Sequence, residues 1–287
     1  MKPAAFAYDD PRTAVAALDL LAEHGDEAKV LAGGQSLIPL MNFRLARPSR
    51  LVDVNRVDEL AFIRRRAGSL HIGALTRMAT LVRSPLVADC APLLVEATRL
   101  VGHAQIRARG TVGGSVSHAD PAAELPAALT ALDARFHVRS RARMRVLGAS
   151  ELFVSYLTTS LEPDELLVEI EVPPLSPRTG TAFVEHARVH GDFALAGAAA
   201  VLTLAEDGTC ERAAVALCAA APAPLRVPDA EQALARNPLG YEQASAAAEV
   251  AGAAIEGSAS VRFRRSLTTE LVRRALLLAA SRVREPA

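Results

Sequence analysis

Apolar positions along this chain follow two rhythms, a helical spacing of three to four residues and a strict alternation. Val15, Leu18 and Leu21 form a stripe at helical spacing. With Asp10-Pro11 as its cap and Gly25 as its stop, the pattern predicts a helix running to about His24. Short strands are expected at Lys29 to Leu31 and Leu51 to Val54, so residues 1–56 read as a small α/β lobe. Leu70-His71-Ile72-Gly73 alternates as a half-buried strand does. Thr76 then caps a short helix. Pro85 to Val101 forms a longer one, with Leu86, Leu93, Leu94 and Leu100 as its apolar set. Pro121 to Leu132 reads as helix. Phe136 to Val138, Met144 to Val146 and Leu166 to Val172 read as strands, the last closed by Pro173-Pro174. Residues 57–175 make a second, mixed α+β lobe.

The stretch from Pro173 to Gly180 has the Pro, Ser and Gly content of a linker. Three apolar strands follow: Thr181 to Arg188, Phe193 to Ala205 and Cys210 to Ala219. Glu206-Asp207-Gly208 joins the last two as a hairpin. The rhythm then turns helical over Asp229 to Ala235, Tyr241 to Ile255 and Ser266 to Val283. Leu267, Leu271, Val272, Ala275 and Leu278 share one face of the final helix. Residues 176–287 therefore form a C-terminal lobe with a small antiparallel sheet and a helical layer. The fold class is α+β.

Two glycine pairs interrupt these rhythms in matching contexts. One is Leu31-Ala32-Gly33-Gly34-Gln35-Ser36-Leu37 and the other Thr111-Val112-Gly113-Gly114-Ser115. Each has apolar residues before it and a hydroxyl residue after it. A glycine pair can turn sharply and aim successive N–H groups at one anion. Either pair alone reads as a plain turn; together they point to a cradle for a diphosphate. No G-x-x-x-x-G-K-[ST] and no G-x-G-x-x-G after a strand is present, which excludes a P-loop and the usual dinucleotide fingerprint.

Composition narrows the function further. The 287 residues are 51% hydrophobic, ample for a full core. Lys+Arg and Asp+Glu both number 32, so there is no basic footprint for nucleic acid. Aromatic residues are only 4% of the chain and Trp is absent; much of the apolar content is Ala, which favours close backbone approach. Cys90, Cys210 and Cys218 are widely spaced and lack C-x-x-C, so they read as reduced, buried apolar residues in a cytoplasmic protein. The N-terminus has no long apolar region of the signal-peptide kind, and no run is long enough to span a bilayer.

Other polar residues admit both functional and structural roles. Ser115, Ser117, His118, Asp120 and Glu124 follow the second pair closely. They suit sugar hydroxyls, or simply a polar loop in which Asp120 caps the helix starting at Pro121. His118 suits a proton donor, a covalent flavin link or a hydrogen-bonded loop residue. His71, His103, His137 and His190 are scattered, without an H-E-x-x-H or i,i+4 pair, so no metal site is expected. No G-x-S-x-G elbow supports a hydrolase. Gly191-Asp192 reads as a tight turn, with Phe193 either a core residue or a wall for a planar ring.

Ala32-Gly33-Gly34-Gln35-Ser36-Leu37, Thr111-Val112-Gly113-Gly114, Ala123-Glu124-Leu125-Pro126 and Gly191-Asp192-Phe193-Ala194, in this order and spacing, resemble the FAD-binding (medium) subunit of molybdenum hydroxylases, the family of aerobic carbon monoxide dehydrogenase and xanthine dehydrogenase. The resemblance covers essentially the whole chain, including Arg262-Phe263-Arg264-Arg265-Ser266-Leu267 and Val272-Arg273-Arg274-Ala275-Leu276. It implies a two-lobed FAD-binding domain of the vanillyl-alcohol-oxidase type, then a C-terminal lobe. It also implies that Leu31 to Leu37 and Thr111 to Ser115 hold the FAD diphosphate through main-chain N–H groups and hydroxyls. Glu124 matches a cofactor-contacting Asp of many members, Leu167 an apolar strand residue near the flavin, and Phe193 a position beside the isoalloxazine. His118 joins this set. The chain departs from the pattern at Ser115, where Asn or Asp is frequent, and at Val184-Glu185, where some members carry a flavin-contacting Lys. It lacks the Cys-rich insertion of the benzoyl-CoA-reductase-like branch.

The resemblance further implies an electron relay. A large partner with molybdopterin hydroxylates an organic substrate, and a small partner with two [2Fe-2S] clusters passes electrons on. The FAD held here delivers them to an external acceptor, in a dimer of heterotrimers. No residue of this chain then acts on the organic substrate. Gln35 stands where carbon monoxide dehydrogenases often carry His, which points away from carbon monoxide. Two rival readings stay open: a stand-alone flavin oxidase on the same cofactor-binding fold, and a non-catalytic module that only docks FAD.

Overall fold

Thr13, not Asp10, starts the first helix. In the computed structural model, which describes residues 2–256 and 261–283, the Thr13 hydroxyl accepts from the Ala16 amide and Gly25 ends the helix at φ 49°. Asp10 pairs with Arg56 instead. The first segment runs β1 (Ala7–Asp9), α1 (Ala14–His24), β2 (Ala28–Leu31), α2 (Leu37–Asn42) and β3 (Arg50–Asp53). Its strands form a parallel sheet in the order β1-β3-β2. Helix α1 buries Ala14, Ala17, Leu18 and Leu21, whereas Val15 of the expected stripe is exposed.

The second segment holds β4 (Ile63–Arg66), β5 (Ser69–Gly73), α3 (Met78–Arg83), α4 (Pro85–Cys90), α5 (Pro92–Leu100), α6 (Ala104–Arg109), α7 (Val112–His118), α8 (Glu124–Ala131), β6 (Arg135–Arg139), β7 (Met144–Leu147), α9 (Ala149–Leu152), β8 (Phe153–Ser155), β9 (Thr158–Thr159) and β10 (Leu166–Val172). Its sheet is antiparallel throughout, in the order β4-β5-β10-β6-β7. Leu70, Ile72, Phe136, Val138, Ile170 and Val172 bury one face against α5, α7 and α8. Three sequence expectations need correction. The helix read over Pro85 to Val101 divides in two, because the ring of Pro92 drives Ala91 out of helical geometry (φ −149°). Thr76 does not cap α3; its hydroxyl donates to the Phe62 carbonyl, and Arg77 takes the cap position. Asp120 does not start a helix at Pro121. Its carboxylate accepts from the Ala122 amide in a local turn, and α8 starts at Glu124.

The third segment contains β11 (Thr179–His186), β12 (Ala196–Leu204), β13 (Cys210–Cys218), β14 (Leu225–Arg226), α10 (Pro228–Leu234), α11 (Tyr241–Ala253) and α12 (Val261–Ser281). The four strands are antiparallel in sequence order. This sheet is buried on both faces. Ala182, Ala198, Ala200 and Leu202 face α10, α11 and α12, while Phe183, Ala199, Val201, Ala214 and Ala216 join the core of the second segment. That double burial is why β12 reads as an unbroken apolar run rather than an alternation. Strand β11 starts at Thr179, inside the stretch read as a linker. Helix α12 starts before Ser266 and buries Leu271, Val272, Ala275, Leu276 and Ala279; Leu278 is turned outward. Among the described residues no helix is long and apolar enough to cross a membrane.

Glu96 of α5 ties the segments together. Its carboxylate accepts from Arg282 Nη1 at 2.7 and 2.8 Å and from the Phe183 amide of β11 at 3.1 Å. Glu96→Ala strips the acceptor from a buried strand amide and leaves Arg282 without its carboxylate. Urea unfolding is expected to show a loss of about 1–3 kcal/mol; an unchanged midpoint would rule the tie out.

Candidate cofactor site

The first glycine pair leaves β2 at Leu31 and leads directly into α2. Gly34 sits at φ 72°, a backbone conformation that only glycine adopts at little cost. Gly33 lies hard against the segment that ends α6: a Cβ there would stand 2.6 Å from the Arg109 carbonyl oxygen. The amides of Gly33, Gly34, Gln35, Ser36 and Leu37 donate to no acceptor among the described residues; the first amide of this stretch to find one is Ile38, bonded to the Gly34 carbonyl. Gly33, Gly34 and Gln35 of this run line a cavity of about 430 Å³, together with Leu31, Ala32, Ile38, Pro39, Asp53, Asn55 and Arg109. Free successive amides at a helix start form an anion site.

The second glycine pair does not form a turn. Gly113 and Gly114 belong to α7, whose cap is the Thr111 hydroxyl accepting from Gly114 N. The other early amides are also taken. Val112 N donates to Thr76 O, Gly113 N to Ala74 O at 2.8 Å and Ser115 N to Thr111 O. The Val112, Gly113, Gly114 and Ser115 amides thus all have acceptors within the chain. These glycines supply proximity instead. A Cβ on Gly113 would lie 2.6 Å from the Ala74 Cβ, and one on Gly114 would lie 3.9 Å from the Ala32 Cβ. Gly114 lies near Ala32 of the first loop at ordinary contact distance, and its tight neighbour is the Thr111 hydroxyl that caps α7, 2.7 Å from where its Cβ would stand.

Arg109 lines the cavity and Arg77 stands behind it. Burial, with Arg109 nearby, pulls the Arg77 guanidinium below its usual range. Two cations thus converge beside the free amides, which favours an anion there. Asp53 is occupied by the Tyr8 hydroxyl at 2.7 Å and the Asn55 amide at 2.9 Å. Sequence reasoning missed Asp53, Asn55, Arg77 and Arg109. They lie at element ends far apart in the chain, where an isolated polar residue carries no distinguishing pattern.

The other expected site residues do not line this cavity. His118 ends α7 rather than sitting in a loop. It is half-buried, and burial lowers its pKa despite nearby Asp120. Leu167 is a core residue of β10 paired with Val138. Phe193 is neither in a strand nor in the core. It is 69% exposed on the loop between β11 and β12. His71 and His137, read as scattered, are neighbours across β10: His71 meets Glu169 at 2.6 Å and His137 meets Glu171 at 3.0 Å.

Glu124 is buried where α8 meets the end of β13, beside the bond from Ala219 N to Pro121 O. Burial pushes its carboxyl up to about 8, with Glu185 and Asp120 adding to the effect. Burial likewise raises Glu185 to about 7, and its Oε2 is buried without a hydrogen-bond partner. Glu185, Gly197 and Cys218 lie side by side across three strands. The Cys218 thiol is pushed up by burial and by both carboxyls. At neutral pH Glu124 favours its protonated form, and Glu185 titrates there.

The family model described as the FAD binding domain in molybdopterin dehydrogenase matches residues 4–175, and that of the CO dehydrogenase flavoprotein C-terminal domain matches residues 181–279. The chain is 44% identical over 291 residues to the 6-hydroxypseudooxynicotine dehydrogenase complex subunit alpha of Paenarthrobacter nicotinovorans, covering 99% of this chain and 97% of that one. It is 40% identical over 288 residues to the caffeine dehydrogenase subunit beta of Pseudomonas sp. (strain CBB1), with coverage of 99% and 97%. Its fold superposes with a TM-score of 0.96 on carbon monoxide dehydrogenase from Hydrogenophaga pseudoflava, at 37% identity over 99% of this chain and 100% of that one.

The seam makes stability depend on pH. Unfolded, Glu124 sheds its proton near 4.5; folded, it keeps it up to about 8. The folded state binds the extra proton across that window, so stability falls as pH rises through it. Glu124→Gln is expected to flatten this part of the denaturation profile and to be the more stable protein at pH 8. Parallel profiles for both proteins would show that Glu124 is ionised throughout.

Proposed function

The chain belongs to the FAD-binding family of molybdopterin dehydrogenases, and from that premise we propose that it is the electron-transfer subunit of a molybdenum hydroxylase complex. It takes electrons from the [2Fe-2S] clusters of a small partner and passes them to an external acceptor. A large partner carries molybdopterin and the organic substrate. The assembly is a dimer of heterotrimers in the cytoplasm. Within this chain, lobes 1–56 and 57–175 hold FAD, and lobe 176–287 closes on them.

The observation that carries this reading is the run of unaccepted amides from Gly33 to Leu37 at the mouth of the Arg109-lined cavity. A diphosphate supplies the acceptors these amides lack. Thr111 offers a hydroxyl from the facing helix start. When bound, FAD supplies single-electron acceptance and paired release. The first glycine loop would hold the diphosphate through its amides, and Glu124 and Glu185 lie at the seam where α8 meets β11 and β13. Leu31, Ser115, His118, Leu167 and Phe193 are assigned to the same cofactor surface. Relatives named for 6-hydroxypseudooxynicotine and caffeine, together with Gln35, favour a nitrogen-containing organic substrate for the complex over carbon monoxide.

The full chain is expected to take up one FAD on reconstitution and turn yellow. Gly33→Val is expected to stay colourless, because its Cβ would stand 2.6 Å from a backbone oxygen. In the assembled complex, the organic substrate bleaches the flavin only when both partners are present. A wild-type chain that refuses FAD would falsify the proposal. Full activity from this polypeptide alone would favour a stand-alone oxidase.

A further inference from the structure

We propose that Asn55 and Arg77 form a positioning clasp that aims the amides of the first glycine pair into the cavity. This rests on the diphosphate reading above and adds residues that reading does not use. The Asn55 Nδ2 donates to the Ala32 carbonyl at 2.7 Å. A peptide unit is planar and trans, so its N–H points opposite its C=O. Holding the Ala32 carbonyl against Asn55 therefore turns the Gly33 N–H to the opposite side, away from the clasp. The next peptide is fixed in the same way, by Gln35 Nε2 donating to the Gly33 carbonyl at 3.0 Å.

Arg77 locks Asn55 from behind. Its Nη2 donates to Asn55 Oδ1 at 2.6 Å, which also sets the orientation of that amide group. Its Nη1 donates to the Arg109 carbonyl. That is the same carbonyl against which Gly33 is packed. One guanidinium thus joins three segments that are remote in sequence: the first glycine loop, the end of β3 and the end of α6. Its planar fork matches two acceptors in different directions, and a lysine ammonium on a flexible stem does not reproduce that geometry. Arg77 does not line the cavity, and Asn55 reaches it only at the wall, so both act through the loop they hold.

The test measures binding of FAD, and separately of ADP as a diphosphate without the flavin, to the full chain. Asn55→Ala is expected to raise the Kd of both by a similar factor, roughly tenfold to hundredfold. Arg77→Lys keeps the charge but loses the fork, and is expected to raise both by about tenfold. Should Asn55→Ala not fold, Arg77→Lys decides alone. Wild-type affinity in Arg77→Lys would assign the effect to charge and overturn the clasp. So would a loss for FAD with none for ADP, which would place the effect at the ring. A wild-type chain that binds no FAD overturns the parent reading, and this one with it. A wild-type chain that binds FAD beside an Asn55→Ala chain that binds equally well overturns the clasp alone.

Discussion

A stretch of backbone donors that the protein declines to satisfy governs the rest of this architecture. Folded chains pair nearly all their buried peptide groups. Here the amides from Gly33 to Leu37 have no acceptor among the described residues, on a loop where Gly33 is buried, Ser36 exposed and the others half-buried. Strand β2 delivers the loop, α2 follows it, and the end of α6 presses on Gly33 closely enough to forbid any side chain. The second glycine pair looks like a duplicate in sequence but has the opposite use. Its amides are consumed by Ala74, Thr76 and Thr111, and its missing side chains let α7 pack on Ala74 and take the Thr111 cap.

Much of the fold was legible because strong periodicity survives in isolation. Strands β5, β10 and β13 and helices α10 and α11 fall close to where their patterns put them. What escaped was short or locally ambiguous. Strand β1 is too brief to show alternation, and α2 lies in an apolar run with Pro39 inside it, so no polar face marks it. Thr13 outcompeted Asp10 as a cap because the helix begins later than the Asp-Pro pair signals. At the site, the glycine loop was readable and its supports were not. Asn55, Arg77 and Arg109 meet only through the tertiary fold.

The acid seam is a second departure from ordinary burial. Glu124 and Glu185 are placed among apolar strands and beside a buried thiol, without cations to balance them. Charged, they would repel each other in a poorly solvated space. The cheaper state is the protonated one, which turns two anions into hydrogen-bond donors. By contrast, Glu169 pairs with His71 and Arg64, and Glu165 with Arg143 and Arg145. The protein thus keeps some carboxylates ionised with partners and leaves others neutral without them.

The sheet β11-β12-β13-β14 carries an implication for how this chain can be divided. Phe183, Ala199, Val201, Ala214 and Ala216 sit in the core of the preceding segment rather than in that of their own helices. Excising residues 179–281 would bare a continuous oily face of methyl groups to solvent, a surface prone to self-association. Cutting at the family-model boundary therefore separates names, not folding units. Chimeras between relatives should exchange α8 together with the strands it covers, or the halves will not mate.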